Sequence, residues 1–180
     1  MFLLKASVFF LTLAFFIIIL SIILFMEVYM KLKVFRLRGN AKLPTRAHDG
    51  DAGMDLYYCT EKGGPDSVPV YPGETKMFPT GIKAEIPKGF MLEVKNKSSI
   101  AGKKQLLVGA CVVDSGYDGE IFVNLHNVGK QTQWFRNGDK VAQGVLIPVN
   151  LCEIVEVSDP SELNKDSTRG DGALGSTGSR

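Results

Sequence analysis

Residues 106–125 read Leu106-Leu-Val-Gly-Ala-Cys-Val-Val-Asp-Ser-Gly-Tyr-Asp-Gly-Glu-Ile-Phe-Val-Asn-Leu125 and carry the clearest fold signal in the chain. Two runs rich in β-forming residues, 106–113 and 120–125, flank Asp114-Ser-Gly-Tyr-Asp-Gly119. The Asp-Gly ending of this connection suits a tight β-turn, so we predict a β-hairpin here.

The chain from residue 31 onward has the same character, with short apolar or alternating runs broken by Gly, Pro, Asn and Asp and without a long amphipathic helical pattern. This pattern predicts one all-β domain over residues 30–158. A polar, glycine-rich tail follows at 159–180. The further strand candidates are residues 31–37, 82–86, 90–94, 141–149 and 152–157.

The composition excludes several classes of protein. Lys and Arg number 21 and Asp and Glu 19, so the net charge of +2 gives no reason to expect a nucleic-acid partner. Three dispersed cysteines and two histidines argue against a disulfide framework or a structural zinc site, and they fit a reducing compartment.

An uncharged apolar segment at residues 6–26 is long enough to cross a bilayer core of about 30 Å, which predicts a membrane span after an external N-terminus. The basic residues behind it would keep the following domain in the cytoplasm. Two alternatives stay open. The segment could be a cleaved signal peptide, although it is too long for a typical one, or translation could start at Met30 and make residues 1–29 an upstream-start artefact. The basic residues are Lys31, Lys33, Arg36 and Arg38.

Several polar residues are candidates for chemistry, each with a simpler structural alternative. Asp114 could accept a proton from water beside the ring of Tyr117, or the two could be a turn former and a half-buried strand residue. Lys97, Ser98 and Ser99 could attract an anion at a strand exit, or a serine there could simply cap a short helix.

Two further features are ambiguous in isolation. Gln143 lies within an apolar strand, where its amide either pairs structurally or faces a ligand. The last residues, 169–180, combine glycines, hydroxyls and arginines that could wrap phosphates, or they form a flexible linker.

Taken together and in order, five motifs resemble those of the trimeric dUTPase family, and the resemblance extends from residue 31 to the C-terminus. The motifs are Ala52-Gly-Met-Asp-Leu56, Lys97-Ser-Ser99, Val108-Gly-Ala-Cys-Val-Val-Asp-Ser-Gly-Tyr-Asp-Gly119, Gly138-Asp-Lys-Val-Ala-Gln143 and Arg169-Gly-Asp-Gly-Ala-Leu-Gly-Ser-Thr-Gly178.

This resemblance implies a distorted β-barrel or jelly roll, a homotrimer whose three active sites are shared between subunits, and Mg²⁺-dependent hydrolysis of dUTP to dUMP and pyrophosphate. Such an enzyme limits uracil incorporation into DNA and supplies dUMP for dTMP synthesis. The hairpin, including Val108 and Val113, would hold the nucleoside, with Tyr117 beneath the deoxyribose. Rejection of UTP and of cytosine nucleotides would follow from this pocket.

The resemblance also assigns the reacting groups. Asp114 would activate the attacking water, Asp55 would hold a water of Mg²⁺, and Gln143 would assist at the α-phosphate. Ser98 would donate a hydrogen bond to the α–β bridging oxygen, and Lys97 and Ser99 would bind the substrate beside it. The tail would close as a lid over the substrate through Arg169, Leu174, Gly175, Ser176 and Thr177.

Three departures from the family pattern affect this assignment. Lys97 replaces an arginine and so loses the planar fork, Leu174 beside Ala173 replaces the lid phenylalanine, and Cys111 stands where glycine is common. Two other functions remain as alternatives: a dCTP deaminase of the same fold, and a nucleotide-sensing regulatory protein.

Overall fold

The computed structural model describes residues 15–18 and 30–163 of the chain. Residues 15–18 form one helical turn. Within these two ranges, no helix is long and apolar enough to span a bilayer. Most of the membrane span predicted at residues 6–26 lies outside the described residues, and the boundary at residues 1–29 therefore stays a prediction.

The prediction of an all-β domain is confirmed, since strands dominate residues 30–149 and the only helix there is one short π-type turn, Ser99–Lys103. Four predicted strands appear as β1, β5, β6 and β11. The strands are β1 Lys33–Arg36, β2 Met54–Tyr57, β3 Ser67–Val70, β4 Thr75–Pro79, β5 Ile82–Glu85, β6 Phe90–Lys95, β7 Leu106–Val108, β8 Val112–Val113, β9 Phe122–Asn127, β10 Gln133–Arg136 and β11 Lys140–Pro148.

The strands pair antiparallel in four sheets: β1 with β5, β3 with β10, the order β2-β11-β6-β8, and the order β4-β9-β7. Within the described residues they therefore form separate sheets rather than one continuous barrel. β11 is the longest strand and has a register irregularity between Lys140 and Ala142. It lies between β2 and β6, so it brings distant parts of the chain side by side.

The predicted hairpin is confirmed in part: the turn is present and β7 pairs antiparallel with β9, but β8, the second half of the first run, does not pair with β9. The first run of the hairpin divides at Gly109 into β7, which pairs with β9, and β8, which pairs with β6. Between them the Gly109 N–H donates to the Asn124 carbonyl at 3.0 Å, and the Cys111 carbonyl accepts from the Val94 N–H at 2.7 Å. The chain thus changes sheets within three residues, and β8 and β9 end up in different sheets.

The hydrophobic core lies between these sheets and follows the alternation of the strands. In β9, for example, Val123 and Leu125 are fully buried, while Phe122 is partly exposed. Phe78 of β4 packs edge-on against two other rings, with centroids 5.2 Å from Tyr58 and 4.9 Å from Phe135. Such aromatic contacts add to the free energy gained by burial.

Residues 150–163 belong to a second compact unit. The strand predicted at 152–157 is wrong for this structure: the segment has no assigned strand, and Ile154 is 94% exposed. A strand needs a partner to satisfy its backbone groups, and the described residues supply none to this segment. The described part of this unit contains a 3-10 turn, Pro160–Glu162, whose start is capped by the Asp159 carboxylate accepting from the Ser161 N–H at 2.8 Å.

Removing the ring of Phe78 tests the core. Phe78 is 1% exposed, so we expect Phe78→Ala to lower the free energy of unfolding by about 3–5 kcal/mol through lost burial and a residual cavity. Urea denaturation would measure this change. Phe35→Ala, at a ring that is 62% exposed, is the matched control and should cost less than about 1 kcal/mol; equal losses at both positions would contradict this description of the core.

Candidate active site

A buried carboxylate lies between two lysines at one end of the four-stranded sheet. Asp55 of β2 is 4% exposed. Its Oδ1 accepts from the Lys97 Nζ at 2.7 Å, and its Oδ2 accepts from the Lys140 Nζ at 2.6 Å. Because a buried charge must be paired, this aspartate holds two cations from separate elements at one place.

The two lysines also determine the ionisation of this group. Burial alone would raise the pKa of Asp55, but the hydrogen bonds and charges of Lys140 and Lys97 outweigh it and hold the pKa below its ordinary value. The same contact raises the pKa of Lys140. The cluster therefore carries one negative and two positive charges at neutral pH, and its net charge of +1 favours an anion.

Gln143 belongs to this cluster because of strand register. It lies opposite Asp55 of β2 and opposite Lys95 of β6, and directly opposed residues place their side chains on the same face. Its Nε2 donates to the Asn96 carbonyl at 3.0 Å, and its side chain covers Gly53, where a Cβ would overlap the amide. In this structure the amide therefore makes the structural pairing, and one of its two N–H groups remains for another acceptor.

Ser98 and Ser99 begin the helical turn that follows β6, and both are exposed. Ser98 holds the N-cap position, but its hydroxyl makes no capping hydrogen bond. The simple capping explanation is therefore not realised. Instead the Lys97 carbonyl accepts from the N–H groups of Ile100 and Ala101 at 2.9 and 2.8 Å, which fixes the turn beside the cationic cluster.

A second group of predicted residues surrounds a cleft of about 210 Å³ next to β8. Val113, Asp114 and Tyr117 line it together with the free cysteine Cys111. Asp114 is exposed at the end of β8, where its carbonyl accepts from the Tyr117 N–H at 3.2 Å and closes the turn. A carboxylate and an aromatic ring thus face one small cavity.

Val108 lies at the end of β7, between the two groups. Its N–H donates to the Asn96 Oδ1 at 2.7 Å. Since the Asn96 carbonyl also accepts from Gln143, Asn96 connects the cationic cluster with the start of the segment that leads into the cleft.

The carboxylate at the cleft and the cationic cluster lie apart within one chain. Val113 pairs with Leu92 of β6, which puts Asp114 level with Met91, whereas Gln143 and Asp55 lie at the level of Lys95. Four residue steps of about 3.3 Å give a separation of about 13 Å along the strand. The structure therefore brings the predicted residues together as two groups rather than one.

Three residues of these groups were missed by the sequence reasoning. Lys140 was quoted only as part of a motif, Asn96 precedes Lys97 without a signature of its own, and Glu120 follows the turn as an ordinary strand residue. The signal that could have identified them was their position in the sequence, close to residues already assigned to the site. The predicted lid residues Arg169, Leu174, Gly175, Ser176 and Thr177 lie outside the described residues.

These features are typical of a small all-β protein that acts on a phosphorylated nucleoside. The family model for dUTPase matches residues 39–178. The chain belongs to the dUTPase family.

Relatives agree with this membership. The protein named deoxyuridine 5'-triphosphate nucleotidohydrolase from Mycolicibacterium vanbaalenii is 40% identical to this chain, over 82% of this chain and 94% of that protein. The protein of that name from Alkaliphilus metalliredigens is also 40% identical, over 82% of this chain and 96% of that protein.

Two solved structures share the fold. The dUTPase of phage phi11 of S. aureus has a TM-score of 0.65 at 24% identity and covers 72% of this chain and 97% of its own. A mutant of the Staphylococcus bacteriophage 80alpha dUTPase with dUpNHpp has a TM-score of 0.68 at 24% identity. The match covers 82% of this chain and 98% of that chain.

The lowered pKa of Asp55 predicts how the stability of the protein depends on pH. Because the folded-state pKa is depressed, the ion pairs stabilise the protein above the pKa of an unfolded aspartate, and this stabilisation is lost as the pH falls through the folded-state value. We expect Asp55→Asn to lower the free energy of unfolding by about 1–3 kcal/mol at neutral pH, because hydrogen bonds to a charged group are lost. The difference from wild type should narrow below about pH 4.

Urea denaturation across this pH range measures the effect. Glu85→Gln is the matched control, since its pair with Lys33 is exposed on both sides and should contribute at most about 1 kcal/mol. A difference for Asp55→Asn that stays constant from neutral to acid pH would contradict the ion-pair explanation.

Proposed function

We propose that this protein hydrolyses dUTP to dUMP and pyrophosphate, and so limits uracil incorporation into DNA and supplies dUMP for dTMP synthesis. The observation that carries the proposal is the exposed Asp114 carboxylate at a small cleft shared with Tyr117. At about 210 Å³ the cleft is smaller than the pockets of about 300–1,000 Å³ that hold drug-sized ligands. This size suits a nucleoside with its phosphates outside, and the name of the relatives supplies the substrate.

In the proposed reaction, Asp114 orients a water molecule and takes its proton while the water oxygen attacks the α-phosphorus in line. A new P–O bond forms to the water oxygen as the bond to the α–β bridging oxygen breaks. The electron pair of that bond leaves with pyrophosphate, and the water oxygen remains on dUMP. Exposure of Asp114 supports this role, because the carboxylate has access to solvent.

The cationic cluster would bind the phosphates. Lys97 and Lys140 bring two positive charges, Ser98 has a hydroxyl free to donate to the bridging oxygen, and Gln143 keeps one N–H for the α-phosphate. Ser99 adds an exposed hydroxyl next to Ser98. Such donors contribute most where charge develops on the leaving group. With lysine in place of arginine at position 97, the attraction is that of a point charge without bidentate geometry.

Magnesium fits this cluster as an ion that arrives chelated to the triphosphate. Mg²⁺ prefers carboxylate oxygens and keeps several of its waters. Asp55 is ionised, and a carboxylate has about four lone-pair positions, of which the two lysines take two. Among the described residues, no group of three or more His, Cys, Asp or Glu could form a protein cage for the ion. Asp55 would thus hold one of its waters, and the bound ion would neutralise phosphate charge.

Base and sugar selection would belong to the cleft. The chain from Val108 to Val113 would read uracil through main-chain groups. Cytosine would leave these groups unpaired because its amino group is a donor. The ring of Tyr117 would lie under the deoxyribose and exclude a 2′-hydroxyl. Cys111, which is half-buried at the cleft, would make turnover sensitive to thiol reagents.

A complete site would need more than one chain. The separation of about 13 Å between Asp114 and the cationic cluster supports a homotrimer in which one subunit supplies the cleft and another the cluster. The glycine-rich tail would close over the substrate, with Arg169 on the γ-phosphate, Leu174 as an apolar cover, and Gly175, Ser176 and Thr177 along the phosphates.

Release of pyrophosphate from dUTP, dCTP, dTTP and UTP with Mg²⁺ tests the function. We expect turnover of dUTP, and a reduction of kcat by about 10² to 10⁴ in Asp114→Asn, because a general base contributes on this scale. Ammonia release from dCTP would identify a deaminase instead. Nucleotide binding without turnover would identify a sensor.

Shared sites predict complementation between inactive variants. Asp114→Asn and Lys97→Met subunits carrying different tags, unfolded and refolded together, should regain activity in about a quarter of the sites by random assortment of subunits. Mixing the two folded variants without refolding is the control. Absence of recovery after refolding would place both groups of residues in a single subunit's site and refute the shared arrangement.

Truncation tests the lid. Deleting residues 169–180 should leave a folded protein with little activity, because the triphosphate loses donors that act in the closed state. Circular dichroism would confirm folding, and Arg180→Ala serves as the control because the lid assignment gives it no role. Full turnover by the truncated protein would remove the tail from the mechanism.

A further inference from the structure

We propose that the ion pair between Arg38 and Glu120 positions the ring of Tyr117 and thereby sets how strictly the site rejects ribonucleotides. This inference rests on the proposed function, since Tyr117 is taken as the floor beneath the sugar. Neither Arg38 nor Glu120 touches the substrate in this scheme. Both are positioning residues for the aromatic ring.

The pair has the geometry of a two-pronged contact. The Arg38 Nη1 donates to the Glu120 Oε1 at 2.6 Å, and its Nη2 donates to the Glu120 Oε2 at 2.7 Å. The side chains are only 24% and 12% exposed, so solvent screens the contact little. The planar fork of arginine fixes direction as well as distance, and lysine cannot reproduce this.

Glu120 is also anchored to the core on its other side. Its Oε1 accepts from the Gly81 N–H at 2.7 Å. Gly81 itself has a φ of +70° and no room for a side chain, because a Cβ there would press on Cys59 and Ala41. Its carbonyl accepts from the Leu37 N–H at 2.7 Å. The glutamate therefore cannot move without disturbing a tightly packed turn.

Tyr117 depends on this anchored residue for its position. The tyrosine is 47% exposed, so packing alone restrains its ring weakly. Its hydroxyl donates to the Glu120 carbonyl at 2.9 Å, and the same hydroxyl lies over Gly119, where a Cβ would overlap it. A shift of Glu120 would move the Tyr117 hydroxyl with it. The position of the tyrosine ring in the cleft would then change as well.

A second ion pair in this region, between Lys33 and Glu85, lacks this connection. Lys33 and Glu85 lie on the β1–β5 sheet with side chains 75% and 68% exposed, and neither bonds the tyrosine hydroxyl. Lys33→Met is therefore a matched control: it removes a cation from the same region of the fold but leaves the support of Tyr117 intact.

The test compares selectivity for the sugar. In Arg38→Lys and Glu120→Gln, the ratio of kcat/KM for dUTP to kcat/KM for UTP should fall by about tenfold to a hundredfold, since small misplacements of a binding group carry costs of this size. Lys33→Met should keep the wild-type ratio. The ratio does not depend on the fraction of folded enzyme, so a loss of stability alone would leave it unchanged.

A double-mutant cycle shows whether the pair acts through the tyrosine. Tyr117→Phe removes only the hydroxyl, so it should lower the same ratio, and adding Arg38→Lys to it should lower the ratio little further. Additive losses would overturn the proposal. So would a lowered Tm in Arg38→Lys and Glu120→Gln with an unchanged ratio.

Binding separates this inference from the proposed function. Affinities for non-hydrolysable imido analogues of dUTP and UTP, measured by calorimetry, give the same ratio without turnover. A wild-type protein that binds the dUTP analogue selectively but releases no pyrophosphate would refute the proposed hydrolysis. In that protein, loss of binding selectivity in Arg38→Lys would still support the positioning role, and retained selectivity would overturn it.

Discussion

The buried carboxylate of Asp55 is the constraint on which the arrangement of the proposed phosphate-binding residues depends. A charge that is almost completely removed from water needs compensation, and here it comes from Lys97 and Lys140. Lys97 follows the end of β6 by two residues and Lys140 begins β11, so the two lysines come from segments that are far apart in sequence. One anion therefore ties three chain segments together and leaves a surplus of positive charge where they meet.

Strand register determines which residues lie next to Asp55. β11 pairs with β2 on one side and with β6 on the other. Gln143 of β11 lies directly opposite Asp55 of β2 and Lys95 of β6. The amide lies over Gly53 because no side chain there obstructs it. Changing the register by one residue would turn Gln143 to the opposite face, so the position of a polar group at the site follows from the pairing of apolar strands.

Local patterns in the sequence were sufficient for strands bounded by turn residues, such as β5 and β6, of which β5 also alternates cleanly. They failed for β3 and β4, where Pro69 and Pro79 interrupt runs that would otherwise be recognisable. They also failed for the pairing of β8, which joins β6 instead of β9. Gly109 lets the chain pass from one sheet to another, and that choice depends on distant strands that no local pattern contains.

The candidate site was predictable as a set of residue types but not as two groups. Ordered motifs pointed to Asp55, Gln143 and Asp114 as candidates, because the spacing within each motif can be read along the chain. The roles of Lys140 and Asn96 depend on register across strands, and the contact between Arg38 and Glu120 joins residues 82 positions apart. Long-range contacts of this kind leave no trace in the spacing of either partner.

Dividing the residues between two ends of a sheet has a chemical consequence. A carboxylate that accepts a proton from water is hindered by a nearby cation, because positive charge favours its ionised form and weakens it as a base. Along β6, the level of Asp114 lies about 13 Å from the level of Asp55 and Gln143, so within one subunit this carboxylate is separated from the cationic cluster. In the proposed trimer, Asp114 would meet the phosphate-binding cations of a neighbouring subunit, so substrate binding and water activation would both depend on the same subunit contact.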